Sequence, residues 1–448
     1  MRILHYFLGF PPYRTGGLTK FAYDLMCSQA DNGDDVSALW PGRMELLSHK
    51  VRIVKKKPIC GVNNYELVNP LPVPLDEGIK DTEKFMQPCE METYVDFLRK
   101  VDVEVIHIHT LMGLHREFIQ AAKVFKIRVI FTTHDYFGLC PKVTLFRENS
   151  VCDDDHNCED CASCNQNALL LKKIYLMQLP VYRDLKNSCV VKLLRKRHRD
   201  KFFKDNVDKM PKMSANKKEA DKYRKLRQYY IEMLSMVDCI HFNSSVAEKN
   251  YKRYFTPKNS EIISITHKDI ADNRKKTEWK NTGKLRITSL APAKPFKGYT
   301  ILCQALDELW RDGKRNFELK IFSPVPKKRP YMMVQEEGFE YTQLGSIMAD
   351  TDILVAPSVC YETFGFTVLE ALSYGVPVIV SSHMGAKDII ENGGIVVEAG
   401  NSEALKNAIG SLNVEKLKNL RANISERQVK LWKPFLGEVY NLYKAMEK

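Results

Sequence analysis

Short β-rich runs alternate with amphipathic helical patterns along this chain of 448 residues, and no other feature restricts its fold as strongly. In the first half, runs at 1–7, 103–110 and 127–135 are separated by helical patterns that include 18–30 and 114–125. Strands that alternate with helices predict a parallel sheet that is covered on both faces. The fold class is therefore predicted to be α/β.

A second series of the same kind follows a polar, basic stretch near residue 256. It consists of strands at 284–292, 316–324, 351–358, 376–382 and 393–400, with a helix at 298–313. Because a chain of this length exceeds one ordinary hydrophobic core, the sequence predicts two Rossmann-like domains that face each other across a cleft. We place them at 1–255 and 256–425, with a helical basic insertion at about 165–235 in the first.

The segment "YETFGFTVLEALSYGVP", residues 361–377, carries two glutamates eight positions apart with a glycine between them. A strand is predicted to end just before it, and a helix to begin at Phe366. The free N–H groups and the dipole of such a helix favour phosphate, and Gly365 lets a diphosphate approach the backbone. Glu362 and Glu370 would then accept hydrogen bonds from the hydroxyls of a sugar and a ribose. The alternative is that both are ordinary acids on a helix surface.

Residues 348–400 resemble the C-terminal signature of family 4 retaining glycosyltransferases of the GT-B fold, which carries an E-x7-E pattern. The resemblance covers "E-x-F-G", "LEAL", "GVPV" and the "GG-V" turn. It implies that Glu362 contacts hydroxyls of the donor sugar and that Glu370 contacts the ribose. It also implies that the donor diphosphate is bound by the backbone around Thr363, Phe364, Gly365 and Phe366. Because enzymes of this kind generally work without a divalent cation, no cofactor is expected for catalysis.

A second part of the donor site is expected in the loop after the first strand of the second domain. In the same family this loop holds an Arg and a Lys, followed by glycine, that bind the diphosphate. Lys297 and Gly298 match, but Pro292 stands at the position expected for Arg. Lys294 is the candidate replacement, as a point charge without the bidentate geometry of a guanidinium. The alternative is that both lysines face solvent beside a helix start.

In the first domain, Gly16 and Gly17 precede a helical pattern. The resemblance implies that they form a glycine loop, which lets the donor diphosphate and the acceptor approach backbone amides. The alternative is a simple turn.

A histidine lies at the carboxyl end of the strand predicted at 127–135, the edge where α/β sheets bind ligands. This residue is His134, and in similar enzymes it lies near the transferred sugar. Asp135 is expected to orient His134 or the acceptor. His107 and His109, one strand earlier, alternate with isoleucine and are expected to be packing or polar sheet residues.

Five of the twelve cysteines lie within 25 residues of each other. They are Cys140, Cys152, Cys158, Cys161 and Cys164, with His156 nearby. Thiolates at C-x-x-C spacing can face one ion, and four would close a structural zinc site; an iron–sulfur cluster, plain thiols and disulfides are the alternatives. Most other cysteines are scattered singly, and residues 1–17 do not have the pattern of a signal peptide. We therefore expect reduced thiols and a cytoplasmic location.

The basic residues are concentrated in the insertion. From 172 to 227, 19 Lys and Arg stand against six Asp and Glu, an excess equal to the net charge of +13 for the whole chain. A basic helix with an apolar face, such as 189–203, would suit the anionic inner face of a membrane. The alternatives are a solvated helical arm and an oligomer contact. Nucleic acid is not expected, because the insertion lacks glycine and has no recognised fold for reading bases.

These features predict a retaining glycosyltransferase with Glu362, Lys297 and His134 as its catalytic residues. It resembles bacterial enzymes of cell-surface polysaccharide assembly, which implies a nucleotide-sugar donor, with UDP favoured, and a glycan or polyprenyl-diphosphate-linked acceptor. Residues 426–448 resemble the closing helix of the family, which crosses back to the first domain. The alternatives are a soluble sugar synthase or phosphorylase of the same fold, and a zinc-stabilised nucleic-acid-binding protein.

Overall fold

A computed structural model of the protein describes residues 1–45, 47–74, 78–147, 150–153, 157–185, 188, 193, 197, 217–274, 279 and 282–444. The chain divides into two compact units. Unit 1 comprises Met1–Glu148, Cys152–Phe242 and Lys249–Glu261, and unit 2 comprises Asn149–Val151, Asn243–Glu248 and Ile262–Lys448. The domain ranges 1–255 and 256–425, and the crossing of 426–448 to the first domain, stay predictions.

The strands and helices are numbered in chain order. The strands are β1 Arg2–Tyr6, β2 Asp35–Pro41, β3 Arg52–Ile59, β4 Val62–Val68, β5 Val105–Ile108, β6 Arg128–Thr132, β7 Phe146–Arg147, β8 Ser150–Val151, β9 Cys239–Phe242, β10 Ser260–Ile262, β11 Leu285–Ser289, β12 Phe317–Ile321, β13 Met332–Val334, β14 Ile353–Ala356, β15 Val378–Ser381 and β16 Gly394–Val397. The helices are α1 Gly17–Asp31, α2 Glu92–Val101, α3 Arg116–Val124, α4 Cys161–Cys164, α5 Leu171–Gln178, α6 Pro180–Leu185, α7 Lys217–Ser235, α8 Ser245–Lys252, α9 Tyr299–Arg311, α10 Leu344–Ala349, α11 Phe366–Ser373, α12 Ser402–Gly410, α13 Val414–Ser425 and α14 Trp432–Lys444.

The core of unit 1 is an eight-stranded sheet in the order β10-β9-β6-β5-β1-β2-β4-β3. Neighbouring strands from β9 to β4 are parallel, and β3 at the edge is antiparallel to β4. All four residues of β5 are buried, as is typical of a strand covered on both faces. The chain leaves β1 and β5 in opposite directions, so a crevice is expected at their carboxyl ends.

The core of unit 2 is a six-stranded sheet in the order β13-β12-β11-β14-β15-β16, with every pair parallel. In the order of the chain this is 3-2-1-4-5-6, the arrangement of doubly wound dinucleotide-binding folds. Ile287, Ile353 and Ile379 of the central strands pack against Leu302 and Leu306 of α9. The order reverses between β11 and β14, and the loops after these two strands therefore meet at one crevice.

The α/β class and the two Rossmann-like units predicted from the sequence are confirmed. The described part of the insertion contains the helices α5, α6 and α7, whereas most of the predicted basic helix 189–203 lies outside the described residues. The strands that were not predicted are β2, β3, β4, β7, β8, β9, β10 and β13. Among the described helices, none is long and apolar enough to cross a membrane.

Candidate active site

The turn from β14 into α11 contains the two-glutamate segment, and its geometry requires glycine at the helix start. Gly365 is the N-cap, with φ of 118°. A Cβ at this position would lie 2.5 Å from Cε of Met384, and few side chains adopt such a φ. Among the described residues, no side chain caps α11, so its first N–H groups can donate to an anion.

The loop before α11 is fixed by two other segments of unit 2. Backbone hydrogen bonds join it to residues 383–386. The hydroxyl of Ser244 donates to the carbonyl oxygen of Thr363 at 2.7 Å. A Cβ at Gly385 would lie only 2.3 Å from that carbonyl oxygen. The loop is therefore rigid before any ligand arrives, which is the condition for electrostatic preorganisation.

The loop after β11 packs directly on the loop after β14. The carbonyl oxygen of Phe296 accepts hydrogen bonds from the backbone N–H groups of Val359 at 2.9 Å and Cys360 at 3.0 Å. Gly298 has φ of 80°, and a Cβ there would lie 1.9 Å from the carbonyl oxygen of Pro357. Glycine is required at this position because the two backbones touch.

This packing brings together two of the three predicted catalytic residues. Nζ of Lys297 lies 3.0 Å from Oε2 of Glu362, and 27% and 19% of the two side chains are exposed. Burial disfavours the charge of Lys297, but the Glu362 carboxylate prevails and raises the lysine pKa above its usual value. Burial, then the same carboxylate, raises the pKa of Cys360 to about 11. Lys297 therefore keeps its charge, and the pair lies beside the N-terminus of α11.

Glu370, the second glutamate, is largely buried and has a partner that the sequence analysis missed. Its Oε1 lies 3.3 Å from Nε2 of His267. Nδ1 of His267 has no hydrogen-bond partner in the described part of the chain, and Oδ2 of Asp269 lies 4.0 Å from it. The ring of Phe366 packs edge-on against the imidazole of His267, with ring centroids 5.2 Å apart. His267 follows β10 and is far from the signature in sequence, so no local pattern could have revealed the contact.

The predicted replacement for the family arginine lies in the loop after β11. Lys294 is partly exposed, and its backbone N–H donates to the carbonyl oxygen of Pro292 at 2.7 Å. Pro292 itself is exposed and offers no charged group. Lys294 thus stays a prediction for donor binding.

The predicted residues of unit 1 lie in the segments that follow β1 and β6, with Gly16 and Gly17 at the start of α1. Gly16 has φ of 116° and is the N-cap of α1, which begins at Gly17 without a side-chain cap. No atom of the described residues lies within 4 Å of a Cβ built on Gly16. The ring of Phe21 on α1 packs on His134, with ring centroids 4.9 Å apart. Helix α1 therefore joins the glycine loop to His134 within one unit.

Asp135 follows His134 and is held by its own turn. Its Oδ1 accepts a hydrogen bond from the N–H of Phe137 at 2.9 Å, and its carbonyl oxygen accepts one from the hydroxyl of Tyr251 at 2.6 Å. Burial raises the pKa of Asp135 to about 6, with the Phe137 N–H opposing.

The cysteine cluster surrounds the short helix α4. Burial, then Cys164 and Cys161, raises the pKa of Cys140 to about 11. Burial also raises the pKa of Cys164, opposed by the Lys142 ammonium and reinforced by Cys161 and Cys152. These four thiols are therefore neighbours. Within the described part of the chain, the three potential ligands that lie within 4.8 Å of one another are histidines, not these thiols. His156 is outside the described residues. The thiols as placed do not form a closed tetrahedral site.

Residues 285–413 match the family model "Glycosyl transferases group 1". Over its whole length the chain is similar to HepE from Anabaena in complex with UDP, with 13% identity, a TM-score of 0.58 and 100% of both chains covered. It is also similar to sucrose-phosphate synthase from Thermosynechococcus elongatus, with 15% identity, a TM-score of 0.55 and 99% and 98% of the two chains covered.

A third similar structure is the UDP-forming α,α-trehalose-phosphate synthase from Burkholderia xenovorans in complex with glucose-6-phosphate. The identity is 11%, the TM-score is 0.54, and 99% of this chain and 100% of that chain are covered. No curated protein sequence matches this chain. The fold is GT-B, and the matched segment includes Lys297, Glu362 and Glu370.

Proposed function

We propose that the chain is a retaining glycosyltransferase of family 4 that moves a sugar from a nucleotide diphosphate to a glycan or lipid-linked acceptor in cell-surface polysaccharide biosynthesis. The observation that carries the proposal is the Lys297–Glu362 pair at 3.0 Å. It lies where the strand order of unit 2 reverses, beside the uncapped N-terminus of α11. The match of this segment to group 1 glycosyl transferases supports the same conclusion.

Each group in this arrangement has a distinct task. The N–H groups at the start of α11 and the ammonium of Lys297 bind the donor diphosphate and stabilise the charge that it gains as leaving group. The bond between the anomeric carbon and the diphosphate oxygen breaks, and its electron pair stays on the diphosphate. The acceptor oxygen bonds to the anomeric carbon on the same face, and its proton passes to the departing phosphate. Glu362 holds sugar hydroxyls, and Glu370 holds the ribose.

UDP is the proposed nucleotide. The structure of HepE contains UDP, and the similar trehalose-phosphate synthase is named as UDP-forming. Calorimetric titration with UDP, ADP and GDP tests the choice, and equal affinity for all three would contradict it.

The catalytic proposal is tested by measuring UDP released from UDP-sugars. Removing one stabilising group usually lowers turnover about 10²- to 10³-fold, and this is expected for Lys297→Met and Glu362→Gln. The exposed pair Lys328 and Glu336, 3.4 Å apart in the same unit, supplies the matched controls Lys328→Met and Glu336→Gln. The proposal fails if the site variants keep the activity of these controls. The anomeric configuration of the product, read by NMR, tests retention.

A soluble sugar synthase is the second candidate. The similar sucrose-phosphate and trehalose-phosphate synthases favour it. Turnover with glucose-6-phosphate or another soluble sugar phosphate as acceptor, together with no binding to lipid vesicles, would support it over the lipid-linked acceptor.

Membrane contact is a further part of the proposal. Large hydrophobic side chains are exposed in the described part of the insertion, at Leu170, Leu176, Val181, Leu185 and Leu193. They lie beside or among the basic residues between 172 and 227. Apolar side chains beside Lys and Arg suit an anionic lipid surface. Flotation with anionic vesicles should therefore exceed flotation with neutral ones, and Leu176→Ser with Val181→Ser should reduce it; equal flotation in all cases would contradict the proposal.

Structural zinc is proposed for the cysteine cluster. Cys140, Cys152, Cys161 and Cys164 are the neighbouring thiols, and they would have to approach each other to reach Zn–S distances of about 2.3 Å. Elemental analysis of the purified protein should give about one zinc per chain, lowered in Cys161→Ser and unchanged in Cys60→Ser, whose thiol is exposed elsewhere in unit 1. Iron in place of zinc, or no metal, would refute it.

A further inference from the structure

One amide and three imidazole rings form a continuous hydrogen-bonded chain in unit 1. Oε1 of Gln29 lies 2.7 Å from Nε2 of His5. Nδ1 of His5 lies 3.0 Å from Nε2 of His109. Nδ1 of His109 lies 3.3 Å from Nε2 of His134. The chain thus runs from a fully buried glutamine on α1, through β1 and the end of β5, to the partly exposed His134 after β6.

The rings of this chain are neutral. Burial lowers the pKa of His5 to about 4 and that of His134 to about 3, and it lowers the pKa of His109 well below its usual value. His107 and His241, which lie nearby in the sheet, disfavour a positive charge on His109 in the same direction. A neutral imidazole has one N–H donor and one acceptor nitrogen.

Because each ring has one donor, the group at the Gln29 end of the hydrogen-bonded chain determines the tautomers of all three rings. The Gln29 oxygen can only accept, so His5 must carry its proton on Nε2. Nδ1 of His5 is then an acceptor, and Nε2–H of His109 must donate to it. By the same step, Nε2–H of His134 donates to Nδ1 of His109. A reversed proton on any single ring would place two donors or two lone pairs face to face in a buried site.

We propose that Gln29, His5 and His109 are positioning residues that hold His134 in the Nε2–H tautomer. In this tautomer Nδ1 of His134 is the acceptor nitrogen, so a substrate hydroxyl that bonds to it must donate its proton to the bond. The role for a substrate rests on the proposed transferase function, whereas the tautomer assignment does not.

A metal site is the competing interpretation, since His5, His107 and His109 have nitrogens within 4.8 Å of one another. The contacts favour the hydrogen-bonded chain. Nε2 of His107 is engaged with the hydroxyl of Thr132 at 2.7 Å, and the rings of His107 and His109 stack with centroids 4.2 Å apart. A metal between His5 and His109 would require both facing nitrogens to be unprotonated, whereas a hydrogen bond requires a proton on one of them.

The test is NMR of the full chain labelled with ¹⁵N in histidine, of which there are eleven. Two-bond proton–nitrogen correlations distinguish protonated from bare ring nitrogens and therefore report each tautomer directly. In the wild type, His5, His109 and His134 should each show Nε2–H and a bare Nδ1. Nδ1–H at His109 or His134 would overturn the proposal. Loss of the Nε2 proton from His109 upon addition of Zn²⁺ would instead indicate the metal site.

Variants test whether the hydrogen-bonded chain sets the tautomers or whether each ring prefers Nε2–H by itself. Gln29→Met removes the terminal acceptor at similar volume, and both tautomers should then appear at His134; Gln29→Glu keeps an acceptor and should keep Nε2–H. Thr132→Val is the matched control, because it breaks the hydrogen bonds to His107 and His241 but not the chain. An unchanged His134 spectrum in Gln29→Met overturns the proposal, and Gln29→Asn, which shortens the amide, repeats the test if that variant does not fold.

Activity supplies a separate readout. With UDP-sugar as substrate, turnover of Gln29→Met should fall about fivefold, the usual effect of one hydrogen bond, while UDP affinity stays unchanged. Gln29→Glu should restore turnover, which a merely structural role would not require. If no sugar transfer is found in the wild type, the proposed function fails while the NMR result still decides the tautomer chain.

Discussion

Glu362→Gln should tighten the binding of UDP even though it lowers sugar transfer about 10²- to 10³-fold. In the unliganded protein, the Glu362 carboxylate lies 3.0 Å from the Lys297 ammonium and competes with the diphosphate for that cation. At an effective dielectric constant of about 20, two unit charges at this distance attract each other by ~5 kcal/mol. Much of this is offset by desolvation. We expect about 1–2 kcal/mol to appear in ligand affinity, or ~5- to 30-fold in Kd.

Isothermal titration calorimetry with UDP measures this effect, in parallel with the release of UDP from the sugar donor. Glu336→Gln, in the exposed pair with Lys328, removes the same charge elsewhere in unit 2 and should leave Kd unchanged. The gain in Glu362→Gln should shrink at high salt, because the diphosphate contact is electrostatic. Unchanged or weaker UDP binding in Glu362→Gln would refute the view that the two side chains share one anion site.

Three further predictions concern stability and the nucleoside. Gly298→Ala should lower the free energy of unfolding by about 2–4 kcal/mol, since the new Cβ would lie 1.9 Å from a backbone oxygen. Gly313→Ala, at a similar φ of 81° but with no atom within 4 Å, should cost only about 1 kcal/mol, and equal losses in urea denaturation would count against the close contact. Burial lowers the pKa of His115 to about 4, so the stabilisation that comes from its neutral imidazole is present above pH ~6.5 and is lost as the pH falls towards 4. His115→Gln should flatten the acidic part of the pH–stability profile measured by denaturation, and an unchanged profile there would contradict this. Glu370→Ala should weaken UDP binding about tenfold, the loss of a charged hydrogen bond, but leave the affinity for inorganic diphosphate unchanged, and a parallel loss for both ligands would argue against a ribose contact.

The alternation of strands and helices was sufficient to predict the class and the architecture. The strand predicted at 351–358 is present at Ile353–Ala356, and the helix predicted to begin at Phe366 begins there, because buried strands and glycine at a helix start are local signals. Strands β3 and β4 were not predicted, since β3 carries three consecutive lysines at the sheet edge and β4 two asparagines. Their pairing depends on neighbours far along the chain.

The contacts within the candidate site are likewise long-range. The sequence pointed separately to Lys297 and Glu362, but their approach follows from the strand order of unit 2, which brings together loops 65 positions apart. His267 lies more than 100 positions before Glu370, in a segment without a motif. The tautomer of His134 is even harder to predict from the sequence, because it depends on the side-chain amide of Gln29 on α1.

The hydroxyl that fixes the loop before α11 belongs to Ser244. Ser244 lies in Asn243–Glu248, a short segment of unit 2 that precedes the sheet of that unit in the sequence. Ser244 donates to Thr363, and Ser245 donates to the carboxylate of Asp388, yet both serines follow directly after β9 of the first sheet. A C-terminal fragment cut at residue 262 would leave these acceptors without their donors, and the proposed donor site should be less rigid in it than in the intact polypeptide. Unit 2 could therefore be transferred intact to another protein only together with residues 243–248.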